Sequence, residues 1–378
     1  MLPFNLEPIS ILLLCVATFF MFLQLLYHFI IFSKIFRYKK PSETNYNWQA
    51  VSIVISARSE LENLKLLIPK LLEQNYPNFE IVIVDDASWD GTTSYLEELA
   101  KLEPKIKVVF VNEDMKKNSK GKKLALTLGI KAAKNEILLL TDADCFPASN
   151  EWIQQMVVPY HQNDKIEIVL GYSPFYKIKG FIGVLSSMEN LLTATSYFSY
   201  ALNSNPYMGV GRNLSYKKTL FFKVKGFASH HHIASGDDDL FIQDAANNVN
   251  TDVCIVPQAF MNTSSKTNFK EWYNQKKRHN YVGKYYKAEH QRKLAFFGLT
   301  HLFLWASIIA CLFFQETRLW ILIGLAFYWV VKLPFLYFVF RKFEKANKAF
   351  WLPVFDFLYL FYNIIFGFVR LFGKQRKW

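Results

Sequence analysis

The sequence predicts an α/β domain with a mostly parallel sheet, flanked by transmembrane helices. Three observations carry that expectation. Apolar residues make up 52% of the 378-residue chain, and they gather at its two ends in runs long enough to cross a bilayer. Between those ends, from about Trp48 to Tyr286, short apolar strands alternate with amphipathic helical patterns; continuous apolar strands of this kind form parallel sheets buried on both faces. Acidic residues then stand at or near the strand ends, where open α/β sheets gather their ligands.

The first apolar run, Ile11 to Phe32, is followed at once by Lys34, Arg37, Lys39 and Lys40. It lacks the basic start and cleavage site of a signal peptide. The positive-inside tendency places the N-terminus outside and the chain beyond Arg37 in the cytoplasm. Near the other end, Leu294 to Phe314 and Leu319 to Phe340 form a hairpin through Gln315–Arg318 and return to Arg341, Lys342, Lys345 and Lys348. Trp351 to Phe372 carries Asp356 and Asn363 and precedes Lys374, Arg376 and Lys377. A full span there would put this basic tail outside, so a tilted, interfacial or re-entrant helix is expected. The expected organisation is an N-terminal helix and basic segment in 1–40, a cytoplasmic domain in 41–290, and membrane helices in 291–378. The protein is accordingly expected to be a multi-pass integral membrane protein of the cell inner membrane.

Within the middle region, Val51–Ser56 is the first strand, with a helical pattern running on to Glu73. Ile81–Val84 is the second strand, followed by a helix from Thr92 to Leu102. Lys107–Val111 is the third, followed by a helix over Lys122–Ala133, and Ile137–Thr141 is the fourth. Phe181 to Leu202 is apolar too, but Glu189, Asn190 and several hydroxyls mark it as a buried helix of the globular domain. No Gly-x-Gly-x-x-Gly follows the first strand, which removes the anchor for a dinucleotide-binding reading.

The formal net charge is +13, from 44 Lys and Arg against 31 Asp and Glu. The excess lies beside apolar segments, which favours anionic lipid over nucleic acid as its partner. Trp272, Tyr273, Tyr281, Tyr285 and Tyr286, interleaved with cations, read as an interfacial belt. The four cysteines form no CxxC or Cys/His cluster, so neither a zinc site nor a disulfide framework is indicated.

Against that basic background, three acidic groups stand out: Asp85-Asp86, Asp142-Ala-Asp144 and Asp237-Asp238-Asp239. The first alone is equally well a turn and helix cap. Asp142 and Asp144 follow a strand, where alternation places both carboxylates on one side. Their mutual repulsion calls for a cation, and hard Mg²⁺ or Mn²⁺ bridged to a diphosphate suits oxygen ligands. His230-His231-His232 read as a polar loop over the site rather than a metal site, because adjacent residues point different ways.

The ordered segments VSIVISARSE, IVIVDDASWDGT, KGKKLAL, LLLTDADC, GVGRNLSYKK, SGDDDLF and QKKRH resemble glycosyltransferase family 2. The resemblance covers roughly Trp48 to Lys287 and runs on into the membrane hairpin. It implies an inverting enzyme with the nucleotide-diphospho-sugar transferase fold, GT-A type. It also implies a nucleotide-diphospho-sugar donor and a lipid-linked or glycan acceptor. Ala57, Arg58, Glu60 and Asp86 would then hold the nucleoside, with Asp85 beside them. Lys122 would offset diphosphate charge, and Asp142 and Asp144 would bind the metal–diphosphate unit. The Gly209–Asn213 loop, Gly211 and Asn213 included, would shape the sugar site.

Two segments depart from the family pattern. The third acidic group would supply the general base, and anchoring on Leu240 makes this Asp237, with Asp238 the rival and Gly236 where the family carries Glu. Gln275 and Arg278 are followed by His279 where members often have Trp, so a stabilising role for Arg278 stands while a polysaccharide channel loses support. Single transfer is expected. A processive polysaccharide synthase and a non-catalytic nucleotide- or glycan-binding membrane subunit are the alternatives.

Overall fold

The computed structural model describes residues 7–40, 46–112 and 121–372. Lys120 of the KGKKLAL segment and the tail cations Lys374, Arg376 and Lys377 lie outside those residues. The chain divides into two compact units. Of the described residues, one contains those up to Tyr38 and from Gly283 to Phe372, and the other contains those from Lys39 to Val282.

Helix α1 (Pro8–Arg37) opens the chain, with a π-helical turn at His28–Phe32. The globular unit then alternates β1 (Val51–Ala57), α2 (Leu61–Leu72), β2 (Phe79–Asp85), α3 (Thr92–Leu102), β3 (Ile106–Phe110), α4 (Lys122–Ala132) and β4 (Ile137–Asp142). These elements match the expected strands and helices to within two residues at each end. Next come β5 (Cys145–Pro147), α5 (Trp152–Gln162), β6 (Ile168–Gly171), β7 (Phe175–Lys177) and the helix α6 (Gly180–Leu202). The unit closes with β8 (Leu214–Lys217), α7 (Lys218–Lys223), α8 (Asp239–Ala245), β9 (Thr251–Cys254), β10 (Met261–Ser264) and α9 (Phe269–Val282).

Seven strands form one sheet in the order β3-β2-β1-β4-β8-β6-β9, and β5-β10-β7 form a second. The pairs β3/β2, β2/β1 and β1/β4 are parallel, β8 is antiparallel to both its neighbours, and β6/β9 is parallel. The sheet is therefore mixed, with the parallel part where the sequence placed it. Val54, Ile55, Val82, Val84, Leu138 and Leu139 are fully or almost fully buried, as expected for strands covered on both faces. Gly129 lets α4 lie close on that sheet, because a Cβ there would meet Val54 and Val84 at 2.7 and 2.8 Å. As expected, α6 belongs to the globular unit: Glu189 is buried and pairs with buried Lys276 of α9.

The other unit continues with α10 (Ala288–Phe313), α11 (Gln315–Arg341) and α12 (Leu352–Phe372). Among the described residues, four helices are long and apolar enough to cross a membrane: Pro8–Arg37, Ala288–Phe313, Gln315–Arg341 and Ala346–Arg370. Helix α1 runs antiparallel to α10, with Phe20 stacked on Phe303 and Tyr27 on Phe297, and Gln24 donating to Thr300 at 2.8 Å. Ser10 donates to Glu316 at one end, and Lys342 donates to the Tyr38 carbonyl at the other, 2.8 Å away.

Helix α12 is also antiparallel to α10. Phe357 lies against Trp305, Tyr359 against His301, and Arg370 Nη2 donates to the Gly283 carbonyl at 2.7 Å. The C-terminal end of α12 thus returns to the end of the unit that holds Tyr38 and Gly283. Asp356 and Asn363, the polar residues that made this segment ambiguous, face the interior. Asp356 accepts from Lys332 at 2.8 Å and Trp305 at 3.0 Å, with His301 Nε2 at 3.1 Å, and Asn363 lies 3.4 Å from His301 Nδ1. Buried charges in an apolar bundle persist only when paired in this way.

Candidate active site

Parallel strands deliver their loops to one edge, and the candidate site forms there. The register pairs Ala57 with Asp85 and Ser56 with Asp142, so the ends of β1, β2 and β4 lie side by side. Ala57 is buried and its carbonyl accepts from the Asp86 amide at 2.8 Å. Beyond it, Arg58 lies 5.4 Å from the Trp89 ring. Glu60 precedes α2 and accepts from Asn63 at 2.5 Å. Burial raises its pKa, and the nearby charges of Asp144, Asp142 and Asp90 add to the rise. Ala57, Arg58, Glu60 and buried Asp86 therefore line one side of the strand ends.

Lys122 begins α4 and bridges two acids. Its ammonium lies 2.7 Å from Asp142 Oδ1 and 3.1 Å from Asp237 Oδ2. Burial opposes its charge, but Asp142, Asp237 and Asp238 outweigh that and hold its pKa well above the usual lysine range. A small cleft is walled by Lys122, Asp142, Gly211, Asp237 and Asp238. Asp238 caps α8, accepting from the Asp239 amide at 2.8 Å and from the Gly211 amide at 2.9 Å. Burial and the neighbouring charge of Asp237 raise the pKa of Asp238. Asp237 is lowered instead, because its ion pair with Lys122 outweighs the cost of burial. The two carboxylates are thus driven apart in proton affinity.

Asp144 stands past the end of β4. Burial and the charge of Asp142 raise its pKa, with Arg212 acting in the opposite sense. Arg212, which sequence reasoning passed over, donates to Ser173 at 3.0 Å and to Asn190 at 3.4 Å. Its only signal in the sequence was its place inside GVGRN. On α9, Gln275 is half-buried while Arg278 and His279 are exposed. His279 still has enough protein around it, and enough cations in Lys276, Arg278, Arg212 and Lys122, to hold its pKa well below the usual histidine range. Lys122, one of those cations, also borders the cleft.

Two of the expected ligand-binding side chains are committed to hydrogen bonds within the protein. Asn213 is fully buried: it donates to the carbonyls of Tyr172 and Ala259 at 2.8 Å each and accepts from Trp152 Nε1 at 3.0 Å. Its amide is consumed in tying strands to helices. Asp85 is likewise committed, accepting from the Ser88 amide at 3.1 Å and from the hydroxyls of Ser88 and Thr93 at 2.5 Å. These bonds tie the end of β2 to the turn at Ser88 and to the first turn of α3. Gly236 shows why the family Glu is missing. Its φ is +83°, and a Cβ would meet Leu240 and Val282 at 2.9 Å, so this position takes glycine alone.

Asp142 and Asp144 fit a divalent cation in chemistry, since both offer hard oxygen ligands and their mutual repulsion is visible in the raised pKa of Asp144. Among the described residues, no three His, Cys, Asp or Glu side chains converge into a ready cation site. The remaining ligands would have to come from substrate phosphates and water, the usual arrangement for Mg²⁺.

The glycosyl transferase family 2 profile matches residues 52–225, and that of glycosyl transferase family group 2 matches residues 167–364. The chain belongs to glycosyltransferase family 2. Among its curated relatives, the β-monoglucosyldiacylglycerol synthase of Nostoc sp. is 32% identical over 37% of this chain and 29% of its own length. The 4,4'-diaponeurosporenoate glycosyltransferase of Staphylococcus haemolyticus is 27% identical over 43% of this chain and 41% of its own. The poly-β-1,6-N-acetyl-D-glucosamine synthase of Staphylococcus epidermidis is 25% identical over 58% of this chain and 50% of its own. The chain thus spans half or less of the length of these relatives. The solved mannosyltransferase PcManGT of Pyrobaculum calidifontis superposes with a TM-score of 0.59 at 16% identity, covering 91% of this chain and 99% of that one. The globular unit of this family 2 glycosyltransferase has the GT-A fold.

Proposed function

We propose that this membrane-anchored glycosyltransferase moves one sugar, with inversion, from a nucleotide-diphospho-sugar to a hydroxyl of a lipid-linked or glycan acceptor. The observation that carries the reading is the cleft in which Lys122 bridges Asp142 and Asp237 while Gly211 holds Asp238. Acids from the β4 end and from the start of α8 meet there around one cation. The loop Ala57–Glu60 and Asp86 would receive the nucleoside. Asp142 and Asp144 would hold Mg²⁺ or Mn²⁺, which when bound supplies positive charge to the diphosphate. Lys122 adds a second cation to the same leaving group, and Arg278 a third.

Asp238 accepts the proton of the acceptor hydroxyl, whose oxygen forms the new bond to the anomeric carbon from the face opposite the diphosphate. The bond from that carbon to the diphosphate oxygen breaks, and the nucleotide leaves with the electron pair. A raised pKa suits this base role, because a carboxylate of higher proton affinity is the better acceptor. Asp237, lowered by Lys122, serves better as a fixed charge. Position 236 cannot hold a side chain, so Asp237–Asp238 is the closest match to the family acid pair.

The names of the relatives include lipid and glycan products, and PcManGT was solved with GDP-Man and Mn²⁺. They support this class of donor and acceptor. Four apolar helices support an integral membrane protein, with the basic residues after α1 and α11 favouring a cytoplasmic globular unit. The antiparallel course of α12, ending beside Gly283, supports a re-entrant final segment whose basic tail stays on that same face.

The test is transfer by purified full-length protein with Mn²⁺, a panel of nucleotide sugars and a membrane lipid extract, read by mass spectrometry. A single added sugar is expected. Long products would favour a processive synthase, and nucleotide binding without any product would favour a binding subunit.

A further inference from the structure

Lys123 stands next to the cleft lysine but points elsewhere, and its burial requires an explanation. Its side chain is buried, and an ammonium away from water is costly unless its donors are satisfied. All three are: Nζ lies 2.8 Å from His230 Nδ1, 2.8 Å from the His230 carbonyl and 3.0 Å from the Ile233 carbonyl. None of these partners is an acid. Burial pulls the Lys123 pKa down to about 8, against the charges of Asp237, Asp238 and Asp244. Burial and Lys123 likewise hold His230 down to about 4. The imidazole is therefore neutral, with Nδ1 accepting from Lys123 and the protonated Nε2 facing Asp244 at 3.7 Å.

The segment held in this way, His230 to Asp237, leads straight into the acid pair. Ile233 is buried, and Gly236 turns the chain through its positive φ. At its far end Asp237 is held by Lys122. Two adjacent lysines at the start of α4 thus grip both ends of one strap. Lys122 serves the substrate as well; Lys123 serves only the strap.

We propose that Lys123, through His230, is a positioning residue that fixes the strap carrying Asp237 and Asp238 for proton transfer. This rests on the transferase reading above. Its consequence is a selective effect: loosening the strap moves the base and leaves the nucleotide side of the cleft in place. A displaced catalytic group costs rate rather than donor affinity.

The experiment compares wild type with Lys123→Met, His230→Leu and His230→Asn, the last keeping an acceptor near the Nδ1 position. Transfer kinetics, nucleotide affinity by calorimetry and hydrogen exchange of residues 228–238 are measured on the full chain. For Lys123→Met, kcat falls about tenfold or more, the donor KM and nucleotide affinity stay within about twofold, and strap amides exchange about tenfold faster. His230→Leu follows in the same direction, and His230→Asn stays close to wild type. Unchanged strap exchange overturns the proposal, as does a loss of kcat matched by equal losses of nucleotide affinity and thermal stability. Should Lys123→Met not fold, His230→Leu against His230→Asn decides by the same criteria. Should wild type transfer no sugar at all, the transferase reading fails, while faster strap exchange with nucleotide affinity retained still supports the latch.

Discussion

The backbone amide of Gly211 donates to Asp238 Oδ2 at 2.9 Å, and this bond orients one of two adjacent acids toward the cleft. Its neighbour Asp237 is turned instead to Lys122 at 3.1 Å. In the proposed mechanism the carboxylate of raised proton affinity accepts the proton and its neighbour is a fixed charge. Asp238→Asn is therefore expected to lower kcat by about a thousandfold or more with little change in donor KM. Asp237→Asn should weaken both kcat and nucleotide binding, because Lys122 then loses one of the two carboxylates that hold its ammonium in place. Steady-state kinetics of the two variants separate these outcomes, and the reverse pattern would return the base role to Asp237.

Asp144 gives the donor step a pH dependence of defined sign. Burial and Asp142 raise its pKa, so it takes up a proton at a higher pH than an ordinary carboxylate. The proposed cation binding would need it ionised. Affinity for a nucleoside diphosphate with Mn²⁺ is thus expected to be full above that raised pKa and to fall as pH drops through it. Chelation should abolish transfer, added Mn²⁺ should restore it, and Asp144→Ala should resist restoration. Calorimetry across pH 4 to 8 would contradict the assignment if Asp144→Ala kept the wild-type profile.

Asn213 is expected to matter for stability rather than for chemistry. Its amide satisfies two carbonyls and the indole of Trp152 in the core. Asn213→Ala would orphan all three, and buried polar groups without partners cost about 1–3 kcal/mol each, so a net loss of roughly 3 kcal/mol follows. Chemical denaturation measures it. A variant of wild-type stability that binds the donor poorly would restore Asn213 to the ligand site.

The asparagine also marks where the sequence stopped being legible. Strands β1 to β4 were readable because a sheet buried on both faces needs unbroken apolar runs, and the helices between them show their own period. Asp142 was readable as the last residue of β4, whereas Asp144 stands in the turn beyond it, where strand alternation no longer places a side chain. Asn213, Asp85 and Lys123 were not readable. Each is a polar residue in a functional-looking segment, and only tertiary hydrogen bonds reveal whether it faces ligand or scaffold. Gly236 was noticed as a missing Glu, but the positive φ that demands glycine is a property of the folded turn. Arg212 was hidden by the glycines around it.

The same limit applied to α12, whose polar residues gave the sequence no side to choose. With Asp356 bonded to Lys332 and Trp305, and Arg370 bonded to the Gly283 carbonyl, the helix has both an interior face and a direction. A reporter fused after Trp378 is expected to behave as cytoplasmic, like one inserted in the globular unit, and opposite to one placed at the Phe314 turn between α10 and α11. Paired fluorescent-protein and alkaline-phosphatase fusions read this directly. Asp356→Leu leaves Lys332 without its carboxylate in an apolar bundle and should lower the yield of folded protein, whereas Asp356→Leu with Lys332→Leu should recover part of it, since removing both charges is milder than stranding one. Phosphatase activity from the C-terminal fusion would instead establish α12 as a full span and place its basic tail outside.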